Sequence, residues 1–340
     1  MQPYQADPTA AITIRTTDQH LVATRVAEAC PIWHDTAVTA PEVEFAIRDA
    51  ALAWLQGVTQ DGTVAVTREQ LANDFQFAGE RFPLIDRGRG IRKPLGWHSA
   101  LSISTAATPP GKPGPYDDIE GPDGLQRYKL RRDQRGSTEN EALRNAMREQ
   151  VPLIWFFGAR PGLFQAIFPV YLIREEPEQD QFVLALTEEQ RTLQPASLVE
   201  ETLRRYVHRL NRQRLHQPVF AARVMAAYET RCAVCRLGHR ELLDAAHIIG
   251  DREEHGIATV TNGLALCKIH HAAYDRNILG IRPDYVVEVH GRLLDEIDGP
   301  MLRYGLQEHH GKQLMQLPSR RAEKPDPDRL QERYAQFAAA

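Results

Sequence analysis

Residues 232–275 read CAVCRLGHRELLDAAHIIGDREEHGIATVTNGLALCKIHHAAYD, and this stretch decides the architecture of the C-terminal part of the chain. It holds two pairs of soft ligands, Cys232 with Cys235 in CAVC and Cys267 with His270 in CKIH. Each pair brings two zinc-ligating groups together on a tight knuckle, and two knuckles close a tetrahedron. Four protein ligands leave no open coordination position, so the spacing predicts a structural Zn2+. Around the pairs run two strand-like apolar segments, ELLDAAHII and GLALC, and the second leads into a helix.

A second constellation interlocks with the first. His247, Asn262 and His271 follow one another with fourteen and then eight residues between them. The segment LLDAAHIIG…TNGLALCKIHHAAYD resembles the HNH (ββα-metal) endonucleases, whose zinc-containing branch carries the same Cys/Cys and Cys/His knuckles. The resemblance covers some sixty residues and implies metal-dependent hydrolysis of DNA. It implies that His247 is the general base that deprotonates water, since a neutral imidazole can take that proton. It implies that Asn262 orients the His-bearing loop or helps hold the metal, and that His271 is a ligand of a catalytic Mg2+ or Mn2+. Adjacent helical residues point about 100° apart, so His270 can face the zinc while His271 faces the active site. Many family members carry an acid or a second His directly before the general base, where this chain has Ala246. Asp244 and Asp275 are then the candidates for the second protein ligand, and strand parity sets Asp244 on the face opposite His247.

The chain has 340 residues, 42% hydrophobic and 25% charged, enough for two domains. No run of about 18 apolar residues is present, so no membrane partner is expected. MQPYQADPTA shows no basic region followed by an apolar run, and so no signal peptide. Three of the four cysteines sit in ligand spacing, which fits a reducing cytoplasm. The net charge of −4 argues weakly against a nucleic-acid partner, but positive charge is local. Between Thr202 and Tyr228 there are six arginines, Arg212 among them, and no acid. Arg87, Arg89, Arg92 and Lys93 form a second run, and Arg127, Lys129, Arg131, Arg132 and Arg135 a third. Beside a nuclease motif, such runs point to phosphate contacts on double-stranded DNA.

Upstream, PEVEFAIRDAALAWLQGV (41–58) reads as a helix opened by Pro41, with Phe45, Ile47, Ala51, Trp54 and Leu55 as its apolar stripe. A second helix is expected at 138–149, with Thr138 and Glu141 as a capping box. PLIWFFG, FPVYLI and QFVLAL read as strands. The fold class is therefore α+β. Residues 1–195 form a mixed β-sheet or barrel domain with peripheral helices, and a hinge lies near QPAS (194–197). Residues 196–218 form a basic helical linker that ends at His216-Gln217-Pro218. A second helix at 219–229 opens the nuclease domain (219–317), and a solvated helix or tail fills 318–340.

A bare HNH module has little selectivity, because most of its contacts are to the phosphate backbone. The N-terminal domain is the expected reader. A pocket for an extruded base needs an aromatic face and a group for the Watson–Crick edge. Trp97, Tyr116, Asp117, Asp118 and Tyr128 are of the right types, and Asp pairs well with a cytosine amino group. A reader followed by a zinc HNH module resembles the modification-dependent (type IV, McrA-like) restriction endonucleases, whose readers are often SRA or PUA-like. That resemblance implies flipping of 5-methylcytosine or a related modified cytosine. The alternatives are a sequence-specific or non-specific nuclease, and an inactive zinc-stabilised DNA-binding protein. Cutting both strands with one centre per chain usually takes two chains, which points to a homodimer on DNA.

Overall fold

The structure is a computed structural model and describes residues 39–107, 121, 123–130, 136–192, 206–207, 209–250, 253 and 256–340. The expected hinge at 194–197 lies outside these residues.

The first helix, Pro41–Val58, opens with Pro41 as expected. Its buried face carries Ile47, Ala51 and Leu55, but Phe45 is 49% exposed and does not join the stripe. Glu44 and Arg48 are buried instead. Arg48 donates to Ser99 Oγ at 2.6 Å and to the Pro152 carbonyl at 3.0 Å, while Glu44 accepts from the His98 amide at 2.8 Å. A helix face can therefore bury charge where partners lie opposite it.

Seven strands make the main sheet: β1 (Val66–Thr67), β4 (Ile91–Arg92), β5 (Ser102–Thr105), β6 (Gln126–Lys129), β7 (Leu153–Arg160), β8 (Leu163–Glu176) and β9 (Gln181–Ala185). The order is β4-β5-β7-β8-β9-β6, with β1 against β8. A separate hairpin pairs β2 (Gln76–Phe77) with β3 (Glu80–Arg81). All these pairings are antiparallel except β5 with β7. The run FPVYLI is the middle of the long strand β8, which pairs with β7 through its first half and with β9 through its second. Register shifts between Leu153 and Trp155, Gly158 and Arg160, and Leu172 and Arg174 mark irregular pairing, which increases local twist. The sheet curls into a half-barrel. Along β7, Leu153, Trp155 and Phe157 enter one core and Ile154 and Phe156 the other. Both faces are covered, which is why this strand reads as unbroken apolar sequence.

The helix expected at 138–149 spans Gly136–Arg148. Thr138 thus lies inside the first turn, and Glu141 pairs with Arg144 and Arg148 instead of closing a capping box.

The break expected at His216-Gln217-Pro218 does not occur. A single π turn, Arg212–His216, runs directly into the helix Gln217–Ala227. Pro218 lacks an amide hydrogen and would crowd the carbonyl four residues back, and a widened turn relieves that conflict. This helix belongs to two cores at once. Leu215 and Val219 pack in the sheet core, while Phe220, Val224 and Met225 pack in the C-terminal core.

The C-terminal unit is built on the hairpin β10 (Leu243–His247) and β11 (Gly263–Cys267), followed by the helix Lys268–Asp275. A further hairpin, β12 (Leu279–Ile281) with β13 (Val287–Val289), lies behind it. Residues 318–340 are not a solvated tail. The helix Pro327–Ala338 buries Leu330 and Phe337, and Asp326 caps it through the amides of Asp328 and Arg329. Gly280 makes this docking possible, because a Cβ there would sit 2.5 Å from the Phe337 ring. Among the described residues, no helix is long and apolar enough to cross a membrane.

Gly280→Ala is therefore expected to lower stability to urea unfolding by about 1–3 kcal/mol, the usual cost of overpacking. A freely solvated tail would predict no loss.

Candidate active site and metal centre

The two knuckles meet. Cys232, Cys235, Cys267 and His270 place their ligand atoms within 4.8 Å of one another. His270 Nδ1 lies 3.1 Å from Cys267 Sγ and 3.5 Å from Cys232 Sγ. The register of β10 on β11 sets Cys267 opposite Leu243, and Ala233 beside Cys232 donates its amide to Ala265 at 2.7 Å. Both knuckles are thus fixed to the same hairpin. His270 Nε2 meets the Gly305 carbonyl at 2.8 Å, which orients the ring and leaves Nδ1 to the sulfurs. Three sulfurs and one imidazole nitrogen, all but Cys235 buried, suit zinc. Hydrogen bonds among the thiols pull the Cys267 thiol below its ordinary range and push Cys232 above it, the mark of sulfurs crowded into one shared site.

His247 ends β10 directly opposite Gly263. Its ring stacks on Phe220 with centroids 4.0 Å apart and planes 12° from parallel. Gly263 has to be bare here, since a Cβ would lie 2.4 Å from Val224 and 3.0 Å from Phe220. The shared helix therefore comes flush against the hairpin and presents an aromatic floor to His247.

Asn262 is fully buried and does not reach the cleft. Its Oδ1 accepts from the Ile249 amide at 2.9 Å. Its Nδ2 donates to the carbonyls of Ile249 at 2.9 Å and Ile257 at 3.0 Å. These bonds tie Asn262 to the loop that follows His247.

His271 stands between two carboxylates. Nδ1 lies 3.1 Å from Asp244 Oδ2, and Nε2 lies 3.4 Å from Asp275 Oδ2. Asp244 also pairs with Lys268. Strand parity describes how Asp244 stands to His247, but it does not keep its carboxylate from the helix that packs on the hairpin. Partial burial raises the Asp244 pKa, but hydrogen bonds from Lys268 and His271 outweigh it and keep the carboxyl below its ordinary value. A cleft of about 410 Å3 gathers His247, His271 and Asp275 with Asn277, Arg333 and Gln336. A smaller one of about 160 Å3 lies on the other side of His247, lined by Arg212, His216 and Phe220. Among the described residues, the cysteine–histidine set is the only group of three or more ligand atoms gathered so closely. A cation held by His271 with Asp244 or Asp275 would complete its shell with water and phosphate oxygens, as Mg2+ commonly does.

The N-terminal candidates divide differently from expectation. Trp97 is 2% exposed and packs against Phe82 and Arg48, so it offers no face for a base. Tyr128 is 4% exposed and donates its hydroxyl to the Gly90 carbonyl at 2.8 Å. Arg89 is paired with Glu139 at 2.9 Å. Arg92 donates to the Pro83 carbonyl at 3.2 Å and lies over Phe82. Arg127 is buried in ion pairs with Asp123 and Glu176. Arg87 is exposed and Lys93 half-buried. Tyr116, Asp117, Asp118 and Arg131 lie outside the described residues. Phe220, Gly305, Asn277, Arg333 and Gln336 went unmarked in the sequence. Only Gly263, next to Asn262 in a strand, hinted at a close approach.

Two outcomes are expected. Asn262→Ala leaves buried groups of Ile249 and Ile257 unpaired and should cost about 1–3 kcal/mol per group in a urea melt. The purified chain should carry one zinc by elemental analysis, and stripping it should lower the melting temperature of the C-terminal unit. Unchanged melting in either case would mean that the contact does not hold the module.

Residues 232–282 match the HNH endonuclease family. No curated protein matches the chain in sequence. Among solved structures, a modification-dependent TagI restriction endonuclease is similar at 15% identity over 79% of this chain and 90% of that one, with a TM-score of 0.26. ScoMcrA, a type IV phosphorothioation-dependent restriction endonuclease, is similar at 16% identity over 54% of each chain, with a TM-score of 0.19. The interlocked ligand pairs, the ββ hairpin with its helix and the family match converge on one segment: residues 232–282 are an HNH endonuclease domain, and the chain is a nuclease of the hydrolase class.

Proposed function

We propose that the chain cleaves double-stranded DNA with a divalent cation, Mg2+ or Mn2+, and that its N-terminal sheet domain directs the cut to modified cytosine. The observation that carries the first half is the position of His247. Its ring is held flat on Phe220 at the edge of a cleft shared with His271 and Asp275. In this reading, His247 accepts a proton from the attacking water. The new bond forms from the water oxygen to phosphorus, and the bond from phosphorus to the leaving sugar oxygen breaks. His271 holds the cation together with Asp244 or Asp275. A bound cation would neutralise charge developing on the phosphoryl oxygens. Asn262 keeps the loop after His247 in place and so acts as a positioning residue.

The reader half rests on architecture. A separate curled sheet shares one helix with the nuclease core, so the two are mechanically continuous. An SRA or PUA-like mode of base flipping is our reading of that sheet. With Trp97 and Tyr128 in the core, the remaining aromatic and acidic candidates for a base pocket are Tyr116, Asp117 and Asp118. Arg87, Lys93 and Arg212 are the proposed phosphate contacts, and a homodimer on DNA would supply two centres for two strands.

The test uses supercoiled plasmid, methylated or unmethylated at cytosine, with Mg2+ or Mn2+. Cleavage should require the cation, stop with EDTA, and fall roughly 10²–10⁴-fold in kcat for His247→Ala. Methylated plasmid should be cut preferentially. Equal cutting of both plasmids would remove the reader half, and cation-independent or His247-independent cutting would remove the HNH mechanism. No cutting by the intact chain, with DNA still bound, would favour the inactive DNA-binding reading.

A further inference from the structure

One wall of the nuclease cleft comes from outside the family segment. The helix Pro327–Ala338 begins some forty-five residues after residue 282 and carries Arg333 and Gln336 into the cleft beside His247 and His271. Leu330 and Phe337 anchor it from beneath, so this face of the helix is fixed relative to the hairpin. The Arg333 guanidinium lies 4.7 Å from the centre of the Tyr274 ring. It donates through Nη1 to Asn277 Oδ1 and through Nη2 to the Tyr274 carbonyl.

We propose that Arg333 is a phosphate-binding residue of this cleft, holding the DNA backbone beside the reacting phosphate, with Gln336 as a neighbouring donor. The proposal rests on the endonuclease reading above for its ligand. A guanidinium has five N–H donors, and two are used by neutral acceptors. No carboxylate pairs with Arg333 among the described residues, whereas Arg282 and Arg303 on the same unit each face an acid. Its charge is therefore held in the cleft without an ion-pair partner. Two carboxylates line the same cleft, Glu253 and Asp275; Asp275 is engaged with His271, and neither forms an ion pair with Arg333 among the described residues. An arginine already immobilised by an aromatic ring and two hydrogen bonds loses little freedom on gripping an anion, and its planar fork fits two phosphate oxygens. Gln336 follows three residues later on the same helix face, is exposed, and lines the same cleft.

The test measures equilibrium binding of the full chain to a labelled duplex by fluorescence anisotropy, across a salt series, with Ca2+ replacing the catalytic cation. Arg333→Gln should weaken binding about tenfold and reduce the slope of log K against log salt by about 0.9, the effect of one lost phosphate contact. Arg333→Lys keeps the charge and should keep the slope. Gln336→Glu leaves the bonds of Arg333 intact but adds an anion to the cleft, and it should weaken binding as well. An Arg333→Gln protein with a lower melting temperature but unchanged slope would show a purely structural staple and overturn the proposal. If that variant does not fold, unchanged binding by Gln336→Glu overturns it. The endonuclease reading fails separately: an intact chain that binds DNA with the expected slope changes yet never nicks plasmid removes the activity and leaves Arg333 as a backbone contact.

Discussion

The approach of one helix to one bare glycine organises the C-terminal half of this protein. Gly263 sits opposite His247 in the hairpin, and the space its missing side chain leaves is taken by Phe220 and Val224. Phe220 then becomes the surface on which the His247 ring lies flat. The same helix buries Val219, and Leu215 in the turn before it, in the core of the N-terminal sheet. Packing that positions the proposed base thus also joins the two halves of the chain. Close-packed interiors transmit small shifts instead of absorbing them. A displacement of the sheet along this helix has a direct steric path to His247.

The zinc tetrad and the proposed cation site are kept apart by one residue of helix. His270 and His271 are neighbours, yet the first turns to three sulfurs, two of them buried, and the second to a half-buried and an exposed carboxylate. The cysteine set is closed and its outer nitrogen is tied to Gly305. The His271 side is open to a cleft and short of protein ligands, as suits a cation that must exchange water for phosphate. Softness of the donors adds to this separation: thiolates favour zinc, while carboxylates and water favour Mg2+ or Mn2+.

Local spacing made the hairpin, its helix and the zinc tetrad legible, because all their determinants lie within 44 residues, 232–275. The strands PLIWFFG and QFVLAL were legible for a similar reason, being short apolar runs with buried faces. What was hidden depends on distance along the chain. Nothing near Phe220 says that it will meet His247, and nothing in the alanine-rich C-terminus says that Phe337 has a slot at Gly280. Proline rules for regular α-helix predict a break at Pro218, and the π turn before it satisfies them without one. Trp97 and Tyr128 carry no mark that separates a stacking platform from a core ring. The ligands of Tyr128, the carbonyl of Gly90, and of Arg48, the hydroxyl of Ser99, are set by tertiary contact alone.

Several cations of the N-terminal half are already held by protein groups. Arg127, Arg174, Asp123 and Glu176 form one network in which each cation meets a carboxylate. Hydrogen bonds from Arg127 and Arg174 more than offset burial and bring the Asp123 pKa down to about 2. Such arginines brace the curled sheet, and phosphate binding would have to break their pairs first. Arg89 also pairs with a carboxylate, Glu139, while Arg48 is held by the Ser99 hydroxyl and the Pro152 carbonyl. Arg212 lines the smaller cleft beside His247 and Arg333 the larger one, so a cation borders each. A net charge of −4 is then compatible with DNA as substrate, since backbone attraction depends on the few cations placed where the strand must pass.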